Sequence, residues 1–279
     1  MKALLTSGCS FSEGRGTHQQ YISKSHWPYF LSLYSSPKYT LHTGWPSIGN
    51  DIISRKAFYQ VHEALKHHES KDITLILQWS GLSRRSFLGC SAKGQSGRFS
   101  KVGPQTDNVY DTEYLMKYTI SINGPSINNE NNTHYLTSLK YNNEELNIEP
   151  TWVQMGPWET VPLVQHYYYS FDSESQQLES TLWNMLSIQN LCSLHNINYH
   201  WMTHTNDFNN MIEKHGTEYQ CKVLLDKLNT DNRILDIGIM EWLQEHYPDQ
   251  FDEDGFHPNK FGHRNFTKEV ILPYLGLTE

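Results

Sequence analysis

The sequence predicts a three-layer α/β/α sandwich with a mainly parallel sheet. Two observations carry this. Apolar strand-like runs alternate with helical patterns along most of the chain. One run, Ile73-Thr74-Leu75-Ile76-Leu77, is nearly continuous, as befits a central parallel strand covered on both faces. A long polar stretch interrupts the alternation after that third strand and predicts a large insertion.

Each element has its own reason. Residues 2–6 are short, apolar and strand-like. Over 24–37, Trp27, Phe30 and Leu31 share one helical face. Residues 38–44 read as a second strand, and 49–68 as a strong helix, with Ile52, Ile53, Phe58, Val61 and Leu65 near helical spacing. Residues 72–80 form the third strand. From 86 to 157 the chain is rich in Gly, Ser and Asn, with short β-like pieces such as 118–122, and is read as the insertion. Long irregular insertions in compact domains are usually functional. The helical pattern returns from about 158 to 195, then a strand at 197–204, helical stretches near 206–229 and 236–246, a loop, and a closing helix at 259–273. The whole chain, 1–279, is expected to be a single domain that holds the insertion.

Composition narrows the function. Apolar residues are 37%, aromatics 13% and charged residues 19%, a globular and not a disordered balance. The net charge is −8, with scattered Lys and Arg, so no nucleic-acid partner is expected. Cys9, Cys90, Cys192 and Cys221 lack CxxC spacing, which suggests neither a disulfide framework nor a zinc site. His200 and His204 are four apart, a metal-pair spacing on a helix, but their segment reads as a strand and no third ligand is evident. No metal or cofactor is expected. The apolar run Ala3-Leu4-Leu5 is too short for a signal peptide, which needs roughly 7–15 apolar residues. No run of about 18 apolar residues exists, so no membrane partner is expected and a cytoplasmic location is the default.

In parallel sheets, sites sit beyond the carboxyl ends of strands. Ser10, Gly49, Ser80 and the Asp254–His257 loop all fall there. Asp254 and His257 are three residues apart, so a turn puts both side chains on one side. The carboxylate then fixes the imidazole tautomer and leaves the other nitrogen as a base. A serine hydroxyl needs such a base to become a nucleophile, and Ser10 on a strand-to-helix turn is the fitting candidate. Ser10 also suits a helix cap, Asp254 and His257 an ordinary surface turn, and Gly49 a simple backbone accommodation. Cys9 is expected to face away from Ser10 and pack as a small apolar group.

Two blocks extend this reading. Gly8-Cys9-Ser10-Phe11-Ser12 resembles the G-D-S-x-S/T first block of the SGNH (GDSL-type) hydrolases, and Asp254-Gly255-Phe256-His257-Pro258 resembles their last block, D-x-x-H-P. The resemblance implies a fold flavodoxin-like in its layering and a serine esterase, with Ser10 as nucleophile, His257 as base and Asp254 as its orienting acid. It implies an oxyanion hole from the N–H of Ser10 and of Gly49, in Ser47-Ile48-Gly49-Asn50-Asp51-Ile52. The third block departs from the family: Ser80 stands where an Asn is usual, and Gln78 where a Gly is usual. Ser80 or Gln78 is therefore the candidate third oxyanion donor. Losing such a donor costs on the order of 10²–10³ in rate. Cys9 replaces the Asp of the first block. There is no G-x-S-x-G nucleophile elbow.

Asn50, Trp79 and Arg84 adjoin these positions and are the expected substrate contacts, with Arg84 a candidate for an anionic group. Trp152 and Trp158, in or beside the insertion, are candidates for a sugar-facing surface, and Asn131-Asn132-Thr133 is a glycosylation sequon only in a secretory context. The polar, aromatic insertion points to a short acyl group, acetyl first, on a small-molecule or glycan ester. A catalytically silent glycan- or protein-binding member and an O-acyltransferase using the same triad are the alternatives.

Overall fold

The computed structural model describes residues 1–13, 25–44, 48–92, 148–155 and 162–278. Its centre is a four-stranded, all-parallel sheet in the order β2-β1-β3-β6. The strands are β1 (Ala3–Ser7), β2 (Tyr39–His42), β3 (Ile73–Trp79) and β6 (Asn198–Thr203). The register sets Leu5 beside both Leu41 and Leu75, and Leu77 beside Trp201. Every residue of β1 and β3 is buried, as their largely apolar runs suit strands covered on both faces. A parallel bridge from Trp201 to Arg233 continues the sheet beyond β6.

Helices cover both faces, so the chain has the predicted α/β layering. Side chains alternate along each strand. Leu5, Leu75, Leu77 and Trp201 pack with α3 (Asn50–Leu65) and α5 (Glu174–His195) through Ile53, Val61, Leu178 and Met185. Leu4, Ile76 and Met202 pack on the other side with α2 (Trp27–Ser35), α8 (Ile239–His246) and α9 (Lys260–Phe266) through Trp27, Leu31, Trp242 and Phe266. Each such fully buried aliphatic side chain contributes about 1.5–3 kcal/mol.

The helical pattern at 158–195 resolves into two helices, α4 (Pro162–Phe171) and α5. Ser173 breaks it with a capping box: its hydroxyl accepts the Gln176 N–H at 3.3 Å, and the Gln176 side chain accepts the Ser173 N–H at 3.0 Å. The stretch 206–229 is likewise two helices, α6 (Asp207–His215) and α7 (Tyr219–Leu225). The closing helix starts at α9, passes through a π-helical turn at Thr267–Ile271 and ends in α10 (Leu272–Tyr274). Where the insertion was expected, β4 (Arg85–Ala92) and β5 (Ile148–Met155) pair antiparallel as a separate two-stranded ribbon. The strand-like piece at 118–122, the sequon at 131–133, Trp158 and the side chain of Trp152 lie outside the described residues. Among the described residues no helix is long and apolar enough to cross a membrane.

Candidate active site

Ser10 opens α1 (Ser10–Glu13) three residues beyond the end of β1. The turn between them is held from below by Gln78. The Gln78 side-chain oxygen accepts from the Cys9 N–H at 3.2 Å and the Ser12 hydroxyl at 2.9 Å. Its amide nitrogen donates to the Trp79 carbonyl at 2.7 Å. Trp27 Nε1 donates to the Ser12 hydroxyl at 3.2 Å and ties α2 to the same turn. Gly8 is glycine because of this close approach: a Cβ there would lie 2.8 Å from Gln78 Oε1 and 2.9 Å from the Gln78 carbonyl oxygen. Cys9 points into the core, as expected, and is fully buried. Ser10 is buried too, and its backbone N–H has no acceptor among the described residues, as is usual in a first helical turn.

The Asp254–His257 turn approaches from the other end of the chain. The Asp254 Oδ1 accepts the N–H groups of Phe256 at 2.9 Å and His257 at 2.8 Å, which makes the turn self-capping. The Asp252 N–H donates to the His257 carbonyl at 2.8 Å. Asn259 then caps α9, accepting from Phe261 at 2.8 Å and Gly262 at 3.1 Å. The result is one hydrogen-bonded line. Asp254 Oδ2 lies 2.5 Å from His257 Nδ1, and His257 Nε2 lies 2.9 Å from Ser10 Oγ. Phe11 and Phe256 flank the imidazole, with ring centroids 5.4 Å and 5.3 Å from it.

The electrostatics suit this line. Partial burial pushes the Asp254 carboxyl up, but the bonds from His257 and Phe256 outweigh it and hold the group below the usual carboxylate range. An ionised Asp254 accepts the Nδ1 proton, so Nε2 keeps its lone pair toward Ser10.

Of the other rim residues, Ser80 and Arg84 stand together. The Arg84 guanidinium donates to the Ser80 hydroxyl at 2.8 Å. Gly49 precedes α3, and its Cα packs on the Arg84 backbone: a Cβ would lie 2.7 Å from the Arg84 carbonyl oxygen. Sequence reasoning weighed His204 only as a metal ligand and missed its place at this site, just past the end of β6. It is buried, meets the Phe11 ring edge-on at 5.3 Å, and its Cε1 lies 3.6 Å from where a Gly81 Cβ would sit, with Arg84 Nε at 4.0 Å from that point. Burial first, then the positive charge of Arg84, pushes its imidazole down to about 3, so it is a neutral wall of the site. Its signal in the sequence was its place one residue past a strand, on the same rim.

Three expectations need correction. Gln78 is not available as an oxyanion donor, because both ends of its fully buried amide are spent on the Ser10 turn and Trp79. Asn50 does not face a substrate. Its buried carboxamide bonds the Ser80 backbone and Thr181 Oγ1. Trp79 is 1% exposed and packs in the core with Leu75 and Leu77, whose face it shares by strand alternation. His200 and His204 form no metal pair: the His200 ring bonds the Tyr274 hydroxyl at 3.3 Å. Among the described residues, no group of three His, Cys, Asp or Glu side chains is arranged to hold a metal ion.

No family model matches the chain, and no curated protein matches it. A solved structure of Axe2, an acetyl xylan esterase from Geobacillus stearothermophilus, is similar with a TM-score of 0.36 and 10% identity, over 100% of this chain and 96% of that one. Similarity at that level carries no argument about chemistry.

Proposed function

We propose that this protein is a serine esterase that cleaves short acyl esters, acetyl first, from a glycan or small molecule through an acyl-enzyme on Ser10. The observation that carries the reading is the line from Asp254 through His257 to Ser10, with 2.5 Å and 2.9 Å contacts, built from segments at opposite ends of the chain. A binding module has no need of a base aimed at a buried serine, which favours catalysis over the silent alternative.

The geometry supports the following steps. His257 Nε2 takes the Ser10 proton as Oγ bonds to the ester carbonyl carbon, and the carbonyl electron pair moves onto its oxygen. The N–H of Ser10, which has no acceptor among the described residues, stabilises that oxyanion, with Gly49 and Ser80 as further donors. The intermediate collapses, the C–O bond to the alcohol breaks, and His257 returns its proton to the leaving oxygen. Water then attacks the acyl-enzyme with His257 as base, releasing the acid and Ser10. Asp254 stays ionised and holds the imidazole. The short acyl preference rests on the polar, aromatic insertion read from the sequence. If an added sugar hydroxyl replaced water in the last step, the same groups would transfer the acyl group.

The test is turnover of p-nitrophenyl acetate, butyrate and octanoate by wild type and Ser10→Ala. The reading expects turnover that falls with chain length and is lost in Ser10→Ala. Fastest hydrolysis of octanoate would refute the short acyl preference.

A further inference from the structure

The esterase reading calls for a side-chain donor to the oxyanion beside the backbone N–H groups, and Ser80 is the candidate on the rim. Ser7 and Leu77 are register partners on β1 and β3. Ser10 and Ser80 follow the carboxyl ends of these two neighbouring parallel strands, so both lie on the same rim of the sheet. The Ser80 backbone is fixed by Asn50, which accepts its N–H at 2.7 Å and donates to its carbonyl at 3.2 Å. The Ser80 hydroxyl accepts one N–H from Arg84 at 2.8 Å. A serine hydroxyl has one proton to donate. Among the described residues nothing accepts it from Ser80. A hydroxyl that accepts from a cation is polarised and becomes a stronger donor.

We propose that Arg84 is a positioning residue that makes the Ser80 hydroxyl a charge-assisted donor to the oxyanion, so that a Ser–Arg pair does the work of a single carboxamide. The inference rests on the esterase reading above. Arg84 acts through Ser80: it orients the hydroxyl by occupying its lone pair, and its charge strengthens the O–H as negative charge grows on the substrate oxygen. Ground-state binding gains little from this, because the carbonyl oxygen carries its full charge only in the transition state.

The test is steady-state kinetics on p-nitrophenyl acetate with wild type, Ser80→Ala, Arg84→Gln, Arg84→Lys, the Ser80→Ala/Arg84→Gln double variant and Ser10→Ala. Ser80→Ala is expected to lower kcat on the order of 10²-fold. Arg84→Gln is expected to lower kcat about 10-fold at unchanged KM, the worth of one charged hydrogen bond. Arg84→Lys restores most of that loss. In the Ser80→Ala background, Arg84→Gln costs nothing further, since its route is already cut. Wild-type kcat in either single variant overturns the relay, and so do losses that multiply in the double variant. If Arg84→Gln does not fold, Ser80→Ala and Arg84→Lys still decide: unchanged kcat in Ser80→Ala overturns it. Turnover that is absent in wild type or survives Ser10→Ala removes the esterase reading and the relay with it. Turnover that needs Ser10 but ignores Arg84 removes the relay alone.

Discussion

The Asn50 carboxamide holds the Ser80 backbone at both polar groups, accepting its N–H at 2.7 Å and donating to its carbonyl at 3.2 Å. A side chain on α3 thus pairs with the end of β3 as a neighbouring strand would. A third bond, to Thr181 Oγ1 at 3.1 Å, extends the tie to α5. Asn50→Ala strips buried partners from the Ser80 backbone and is expected to cost about 2–4 kcal/mol. Denaturant unfolding measures this, and a change below about 0.5 kcal/mol contradicts the role assigned.

Gln78 does the same for the Ser10 turn. Gln78→Leu leaves the Cys9 N–H and the Ser12 hydroxyl without their buried acceptor. The expected loss is again about 2–4 kcal/mol, accompanied by a lower kcat as the Ser10 turn relaxes. Stability loss at full kcat would show that the turn holds Ser10 without it.

Gly49 admits no side chain. In Gly49→Ala the new Cβ meets the Arg84 carbonyl oxygen at 2.7 Å, and that atom is backbone. The α3 start or the 81–84 loop must shift, at a cost of about 1–3 kcal/mol. Thermal unfolding of the variant reads this directly.

Much of this architecture could be read before the structure, and the limits of that reading are physical. β1 and β3 were legible because strands buried on both faces are largely apolar. The convergence of Ser10, Asp254 and His257 was expected from their places past strand ends and from the two resembling blocks, and the three side chains do meet. Strand alternation already placed Trp79 on the face of Leu75 and Leu77, so its burial was readable from period two. The break at Ser173 was also written in the sequence, as Ser173 followed by Gln176 three residues on. The Gln78 and Asn50 braces were not legible. Each joins residues far apart in sequence, 66 between Ser12 and Gln78 and 30 between Asn50 and Ser80, and no local pattern marks such pairs.

The buried histidines predict acid sensitivity. Burial first, then nearby positive charge, pushes His204 and His263 down to about 3. In the unfolded chain an imidazole titrates near about 6.5. Between those values the unfolded state binds the extra protons, so stability is full above pH of about 6.5 and falls as pH drops, by up to about 1.4 kcal/mol per pH unit for each group. Among the described residues, neither ring nitrogen of His263 has a hydrogen-bond partner. His263→Leu is therefore expected to flatten the urea midpoint's dependence on pH below neutrality. An unchanged slope would contradict the assignment.

Asp254→Asn probes the orienting carboxylate. The amide keeps an oxygen for the Phe256 and His257 N–H groups but offers a donor toward His257 Nδ1, favouring the wrong tautomer. The fold should persist, since Asp254 is 46% exposed, while kcat falls about 10²–10⁴-fold. Comparable kcat in wild type and Asp254→Asn would remove Asp254 from the mechanism.

The central claim is a covalent acyl-enzyme on Ser10. The most direct measurement is intact-protein mass spectrometry after rapid acid quench of wild type with p-nitrophenyl acetate, followed by peptide mapping. The account predicts the mass of one added acetyl group, located on Ser10 and absent in Ser10→Ala. Release of p-nitrophenol with no adduct at any quench time, or an adduct that persists in Ser10→Ala, would contradict it.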